Sequence, residues 1–298
     1  MKRFVLLLLG LAALTIFCQC GAYVLAFVVK QPRINSHYTL KEHQKYLFLG
    51  SSHLGCGIEE SPEFENKVMW TAATPIQVSL LQLKELERRR QLGHVKAVCL
   101  SMNSHDLAFA AKEKSLLQAY YRHLPVSLRY VDVPSVGWWR LIWSCLSSTH
   151  FPFAGISPNE VPPSPRLPLT KQWPQKRVDS LRRNIPESAR NWEVKADMFP
   201  KLEEIELSSL REFKEICDRN HLRLVVIQMP ELPGYVENLP PEALTFFRNL
   251  QAKVAAMGID VWIPKENYGL DAFVEELHQT EESAHRLTAE IHAYLAGM

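Results

Sequence analysis

The stretch from Lys45 to Ile58, KYLFLGSSHLGCGI, indicates the architecture of the folded part of the chain. Tyr46–Leu49 is a short, wholly apolar run, which is typical of a strand buried on both faces of a parallel sheet. The run ends in Gly50-Ser51-Ser52-His53, where small and polar residues let the chain leave the sheet. Because ligands bind beyond the carboxyl ends of strands in open α/β sheets, a serine here is a candidate functional residue. An ordinary loop has the same composition, so both interpretations stay open at this point.

Segments with strand and helix patterns alternate along the rest of the chain. The expected strands are Tyr46–Leu49, Lys67–Thr71, Val95–Leu100, Leu222–Met229 and Ile259–Ile263, and the expected helices are Pro75–Arg90, Ser115–Leu124, Trp138–Leu146, Lys201–Asn220, Pro241–Met257 and Glu282–Leu295. Such alternation predicts a three-layer α/β/α domain with a parallel sheet over residues 45–298. The proline-dense stretch 151–174 interrupts the pattern and is expected to be a long insertion.

Composition excludes several classes of protein. The 298 residues are 47% hydrophobic and 22% charged, which is typical of a globular chain and not of a disordered one. The formal net charge of +2 gives no electrostatic footprint for a nucleic acid, so none is expected as a partner.

The amino terminus is expected to insert into a membrane. Met1-Lys2-Arg3 precedes an apolar run from Phe4 to Val29, which as a helix would reach roughly 39 Å and span a bilayer. The basic residues orient such an anchor with the rest of the chain outside the cytoplasm. The alternative is a cleaved signal peptide, with Leu6–Phe17 as its apolar region and Cys20-Gly21-Ala22 as its cleavage site. Both interpretations assign residues 1–30 to an anchor or signal and 31–44 to a polar spacer, and both place the domain on the extracytoplasmic side, periplasmic or extracellular.

The cysteines and histidines give no strong metal pattern. Six cysteines are present, but no paired-cysteine motif occurs, and disulfides and buried thiols both remain open for the exported body. His53, Cys56 and His105 supply too few ligands for a convincing site. Neither a metal nor a cofactor is therefore expected.

A second motif lies near the end of the chain. A serine nucleophile needs a base within hydrogen-bonding reach, and the base needs an orienting carboxylate. Glu275 and His278 are three residues apart, which on one helical turn would put them on the same face. A surface Glu–His pair on a charged helix is the alternative interpretation.

The first and last of these motifs together resemble the SGNH (GDSL-like) hydrolase superfamily. Phe48–His53, FLGSSH, is similar to the first block of that family, in which a strand runs into Gly-Asp-Ser. Ser51 replaces the aspartate, and Ser52 takes the position of the nucleophile. Phe273–Thr288, FVEELHQTEESAHRLT, is similar to the last block, Asp-x-x-His followed by a terminal helix. His278 matches the histidine, and Glu275 stands where the family has aspartate.

The middle blocks of the family have looser counterparts. Ser101-Met102-Asn103 is similar to the Gly-x-Asn of the third block, which makes Asn103 the candidate oxyanion donor. The glycine of the second block has no clear match. Thr71–Thr74 occupies its place, and the backbone N–H of Ala73 is the expected donor there. Ser51 is counted with Ala73 and Asn103 as a substrate-binding candidate.

The resemblance implies a flavodoxin-like sheet and a covalent serine mechanism on acyl esters. Anchored members of the group resemble proteins that modify envelope polysaccharides, including alginate O-acetylation and teichoic-acid D-alanylation proteins. By that analogy the chain is expected to be an esterase or O-acyltransferase for a cell-envelope glycan, with a membrane-bound acyltransferase as partner. The alternative is a catalytically degenerate glycan-binding or scaffold protein, because Glu replaces Asp and the second-block glycine is missing.

Overall fold

The computed structural model describes residues 35–70, 75–104, 106–107, 128–130, 185, 189, 194–265, 268–273 and 278–297, with residues 4, 10, 11, 13, 14, 17 and 21. Within these residues, five strands form one parallel sheet in the order β2-β1-β3-β4-β5. The strands are β1 (Tyr46–Gly50), β2 (Asn66–Trp70), β3 (Ala97–Ser101), β4 (Arg223–Ile227) and β5 (Asp260–Trp262). The predicted α/β class with a parallel sheet is therefore confirmed.

The α-helices begin and end close to the predicted positions, with one addition. They are α1 (Ser52–Gly57), α2 (Ile76–Arg88), α3 (Phe199–Arg219), α4 (Pro241–Ala256) and α5 (Glu281–Ala296). Short 3₁₀ helices cover Leu128–Tyr130, Ala196–Met198, Val236–Asn238 and Leu270–Ala272. The expected helices Ser115–Leu124 and Trp138–Leu146 and the insertion 151–174 lie outside the described residues.

Helices pack on both faces of the sheet, which explains why β1 is apolar throughout. Successive side chains of a strand point to opposite faces. Leu47 and Leu49 join a core with α2, α3 and α4. Tyr46 and Phe48 join a second core, which includes side chains of α1 and α5.

The register of the sheet brings the carboxyl ends of the central strands level with one another. Gly50 pairs with Trp70 at the end of β2, and Leu49 pairs with Leu100 in β3. Ser101, the last residue of β3, pairs with Ile227 at the end of β4. The loops that follow β1, β3 and β4 therefore emerge at one edge.

The segment expected to be a spacer takes part in the fold. Tyr38 and Leu40 are buried, and the guanidinium of Arg89 lies over the Tyr38 ring at 5.3 Å from its centroid. The packed domain thus begins upstream of Lys45, because an aromatic and an aliphatic side chain in residues 31–44 cover the core. Among the residues that the structure describes, no helix is long and apolar enough to cross a membrane.

A buried carboxylate on α2 holds the 128–130 segment. Glu85 accepts hydrogen bonds from Arg88 and Arg89 at 2.7 Å and from Arg129 at 3.0 Å. Burial by itself raises the pKa of Glu85, but the hydrogen bonds from Arg88 and Arg89 and the charge of Arg129 outweigh burial and hold it at about 2. The Tyr130 hydroxyl also donates to Glu85, at 3.3 Å.

Candidate functional site

Ser52 is the first residue of helix α1, not a residue of a loop. Ser51 is the N-cap, and its Oγ accepts a hydrogen bond from the backbone N–H of His53 at 3.2 Å. Ser51 is buried, whereas Ser52 is half-buried. The strand therefore runs directly into a helix, with the candidate nucleophile at the junction.

Two glycines make this junction possible. A Cβ on Gly50 would lie 2.3 Å from the Oγ of Ser101, so a larger residue there would displace the Ser101 hydroxyl. A Cβ on Gly55 would lie 2.2 Å from the Trp70 ring, so α1 packs its backbone on that ring. Glycine disfavours helices, and for this reason the helical propensity of the sequence did not predict α1.

His278 lies beside the start of α1. Its ring and the ring of His53 have centroids 6.1 Å apart and planes inclined at 64°. His278 is half-buried and His53 is buried. The structure thus brings a residue of the last block next to the first block.

The helical turn expected to carry Glu275 and His278 falls mostly on residues 274–277, which lie outside the described residues. Phe273 and Gln279, on either side of them, form an antiparallel bridge, and α5 begins at Glu281. Thr280 caps α5 by accepting a hydrogen bond from the Ser283 N–H at 3.2 Å. Glu275 itself lies outside the described residues.

Helix α5 is fastened to the segment that follows α1. The backbone N–H of Glu59 donates to the Thr288 Oγ1 at 2.7 Å. The Glu59 carboxylate lies 2.8 Å from the Nδ1 of His285. These contacts fix the terminal helix, and with it the chain that precedes it, against the start of the domain.

The side-chain amide of Asn103 forms a hydrogen bond through its oxygen and none through its nitrogen among the described residues. Its Oδ1 accepts a hydrogen bond from the backbone N–H of Met229 at 3.0 Å, which determines the orientation of the amide. Its Nδ2 is buried and has no hydrogen-bond partner among the described residues. A buried donor without an acceptor is costly, so the position of this Nδ2 calls for an explanation.

Asp106 is a buried carboxyl in the segment after β3. Its Oδ2 accepts a hydrogen bond from the Ser101 Oγ at 3.1 Å. Burial raises the pKa of Asp106 to about 6, although the Ser51 and Ser101 hydroxyls and the Asn103 backbone N–H lower it. Asp106 thus touches the residues that end β1 and β3.

Two further carboxyls stand near Asp106. Glu206, on α3, has its pKa raised to about 8 by burial and then by the charge of Asp106. Burial also raises the pKa of Glu231 to about 7, against hydrogen bonds from the hydroxyl and N–H of Ser104. The signal for Glu206 is present in the sequence, because it lies four residues from Leu202 and from Leu210 on the apolar face of α3.

The described residues contain no group of three or more His, Cys, Asp or Glu side chains arranged to hold a metal ion. His105 and Ala73 lie outside them. Cys56, Cys99 and Cys217 are buried and form no disulfide with one another. The polar side chains described at this edge carry hydroxyl, imidazole, amide and carboxyl groups.

Comparison of the chain with protein-family models, with curated proteins and with solved structures found no match. The geometry of the site and the resemblance of its motifs therefore carry the functional argument.

Proposed function

We propose that this protein is a membrane-anchored serine hydrolase or O-acyltransferase of the SGNH type, acting on acyl esters of a cell-envelope glycan. The observation that carries the proposal is the approach of the His278 ring to the His53 ring, at 6.1 Å between centroids. Because Ser52 directly precedes His53, this approach brings the proposed base to the helix turn that bears the proposed nucleophile. Ser52 and His278 are both half-buried, as groups that must meet a substrate should be.

The strand order supports assigning the domain to the three-layer, flavodoxin-like type. The order β2-β1-β3-β4-β5 is that of flavodoxin-like doubly wound sheets. Ligands of such sheets bind beyond β1 and β3, where the strand order reverses. Ser52 and Asn103 follow these two strands closely.

The proposed reaction is acyl transfer through Ser52. The Ser52 Oγ attacks the ester carbonyl carbon while His278 takes the hydroxyl proton. Collapse of the tetrahedral intermediate breaks the ester C–O bond, and His278 returns the proton to the leaving alcohol. Water or a sugar hydroxyl then attacks acyl-Ser52, which yields the free acid or an acylated glycan and restores the serine. Glu275 is proposed to hold the tautomer of His278.

The proposed oxyanion donors lie at the ends of β1 and β3. The Ser52 N–H precedes the first internal hydrogen bond of α1, which runs from the Gly55 N–H to the Ser51 carbonyl. The Nδ2 of Asn103 is the second donor, because its hydrogen bonds are unused. The backbone N–H of Ala73 is the third proposed donor.

The apolar run Phe4–Val29 supports export of the domain on a single-pass anchor, with secretion after cleavage as the alternative. On the extracytoplasmic side an acyl donor has to come through the membrane. A membrane-bound acyltransferase is accordingly the proposed partner.

Complete burial of Asn103 favours a second candidate function. The side chain has 0% relative exposure, and an oxyanion donor has to reach the substrate. A glycan-binding or scaffold protein that keeps the fold without catalysis would have no such requirement.

The test is labelling of the full-length chain in detergent with a fluorophosphonate probe, which reacts with activated serines. We expect labelling of Ser52 that is lost in Ser52→Ala and in His278→Ala. The matched control is His43→Ala, since His43 is an exposed histidine upstream of β1 and should keep the label. Absence of labelling in a folded wild type would reject the hydrolase and favour the scaffold.

A further inference from the structure

The turn that bears Ser52 is tied to one buried carboxyl. Ser51 uses its Oγ lone pair to accept from the His53 N–H, so its hydroxyl hydrogen is available to the nearby carboxyl of Asp106. On the other side, the Ser101 hydroxyl donates to Asp106 and at the same time packs against the bare Cα of Gly50. Asp106 thus joins the last residue of β3 to the N-cap of α1.

A small cavity lies behind this turn. Its lining includes Gly50, Ser79, Ser101, Asp106 and Glu206, so the carboxyls of Asp106 and Glu206 face a common space. Asp106 Oδ1 and Ser79 Oγ are buried and make no hydrogen bond to any described residue. The lining of the cavity therefore includes two polar atoms, Asp106 Oδ1 and Ser79 Oγ, that have no hydrogen-bond partner among the described residues.

We propose that Asp106 is a positioning residue for the acyl-transfer site: its carboxylate orients the Gly50–Ser52 turn, and its protonation loosens that turn. The inference rests on the proposed function only for its effect on reaction rate. The titratable groups that face Asp106 from elements packed against it are Glu206 from α3 and Glu231 from the loop after β4. Within the described residues, no lysine, arginine or histidine contributes to the environment of the Asp106 carboxyl.

The direction of the pH effect follows from the order of the two pKa values. The pKa of Asp106 is raised to about 6 and that of Glu206 to about 8, so at neutral pH Asp106 is charged and Glu206 keeps its proton. A carboxylate accepts hydrogen bonds from Ser51 and Ser101 more strongly than a neutral acid does. Below pH 6 the turn loses the Asp106 carboxylate as a charged acceptor. Above pH 8 the Glu206 carboxyl also ionises, which puts a second negative charge beside that of Asp106.

The first measurement is the rate of fluorophosphonate labelling of Ser52 from pH 5 to 9, in full-length wild type and Asp106→Asn. Asparagine cannot ionise, so the ratio of the wild-type rate to the variant rate should be close to one at pH 5. It should rise to roughly tenfold above pH 7, with its midpoint near pH 6. A ratio that does not vary with pH would overturn the proposal.

Two further variants test whether the change in labelling rate is specific to the carboxyls that line the cavity. Glu206→Gln replaces a protonated acid by a neutral amide, so it should leave labelling at pH 7 unchanged and raise it above the wild-type rate beyond pH 8. Asp218→Asn is the matched control, because Asp218 is an exposed carboxylate of α3 that pairs with Lys214. Its ratio should stay near one at every pH.

A second readout does not depend on activity. In full-length protein labelled with ¹⁵N-serine, the amide signals of Ser51, Ser52 and Ser101 should shift with a midpoint near pH 6 and should not do so in Asp106→Asn. Signals that move in a protein that never labels would reject the hydrolase and retain the positioning role. If the signals shift with pH in the same way in wild type and in Asp106→Asn, the positioning role is rejected, whatever the labelling result.

Discussion

The side-chain oxygen of Asn103 accepts a hydrogen bond from the backbone N–H of Met229, at 3.0 Å and across 126 residues of sequence. This contact joins the loop after β3 to the loop after β4, and it turns the amide so that the Nδ2 is the half without a partner. One residue thereby serves both the packing of two loops and the proposed oxyanion site.

Asn103→Ala should therefore lower both stability and activity. Met229 would lose its acceptor, which costs about 1–3 kcal/mol of unfolding free energy. Loss of the Nδ2 donor should lower the rate of Ser52 acylation about 10²–10³-fold. Urea unfolding and probe labelling measure the two effects separately. Ser104→Ala is the matched control, because Ser104 lies in the same segment as Asn103 and donates a hydrogen bond to Glu231. This variant should lower stability with little loss of rate. Equal rate losses in the two variants would contradict a role for Asn103 as donor.

Gly55→Ala should destabilise the domain by several kcal/mol. The new methyl group would overlap the Trp70 ring, and a rigid buried indole has little freedom to move. Gly93→Ala is the control, because nothing lies within 4 Å of a Cβ placed there. Thermal unfolding of the two variants should differ by about 10 °C or more. Equal melting temperatures would mean that α1 does not pack on Trp70 as described.

The stability of the domain should fall as pH rises, because of Glu206. Its folded-state pKa of about 8 lies above the ordinary 4.5, so its contribution is fully present below pH 4.5 and is lost as pH rises through 8. Glu206→Gln should gain stability over wild type progressively between these values, by an amount on the order of a few kcal/mol at pH 8. Denaturant titrations at pH 5, 7 and 9 check the trend. If the unfolding free energies of wild type and Glu206→Gln differ by the same amount at every pH, the Glu206 carboxyl is solvated and not buried as described.

Glu85 should show the opposite pH dependence. Its pKa is held at about 2, so its contribution is present above pH 4.5 and is lost as pH falls through 2. Glu85→Gln should cost about 1–3 kcal/mol at pH 7, since Arg88, Arg89 and Arg129 lose a charged acceptor.

Glu87→Ala is the comparison for Glu85, because Glu87 lies on the same helix and pairs with the exposed Arg219. A surface pair of this kind is worth about 0–1 kcal/mol. The unfolding free energies of the two variants should therefore differ clearly at pH 7. If they do not, the buried position of Glu85 adds nothing to the strength of its ion pairs.

Much of the fold could be predicted from the sequence, because the spacing of apolar residues along a segment indicates which of its faces are buried. The run Tyr46–Leu49 is apolar on both faces, and it forms the interior strand β1 between two cores. The stripe of Leu202, Leu210 and Phe213 predicted α3. Helix α1 could not be predicted in this way, because its glycines oppose a helix and only the Trp70 ring explains them.

The candidate site could be predicted only in part. The positions of Ser52 and Asn103 after β1 and β3 follow from strand patterns, and His278 was named from a motif. The approach of the His278 ring to the His53 ring could not be predicted, because it depends on contacts between segments far apart in the chain.

The sequence by itself determined the five strands, the helices α2 to α5 and which polar residues follow the strands, since periodicity and turn residues act over a few positions. Only the tertiary structure decided which of those polar residues meet. Folding brings three pairs together across long stretches of chain: the rings of His53 and His278, the amide of Asn103 and the backbone of Met229, and the carboxyls of Asp106 and Glu206. The physical reason is that packing and burial, which raise the pKa values and orient the amide, exist only once distant segments have closed around the same edge of the sheet.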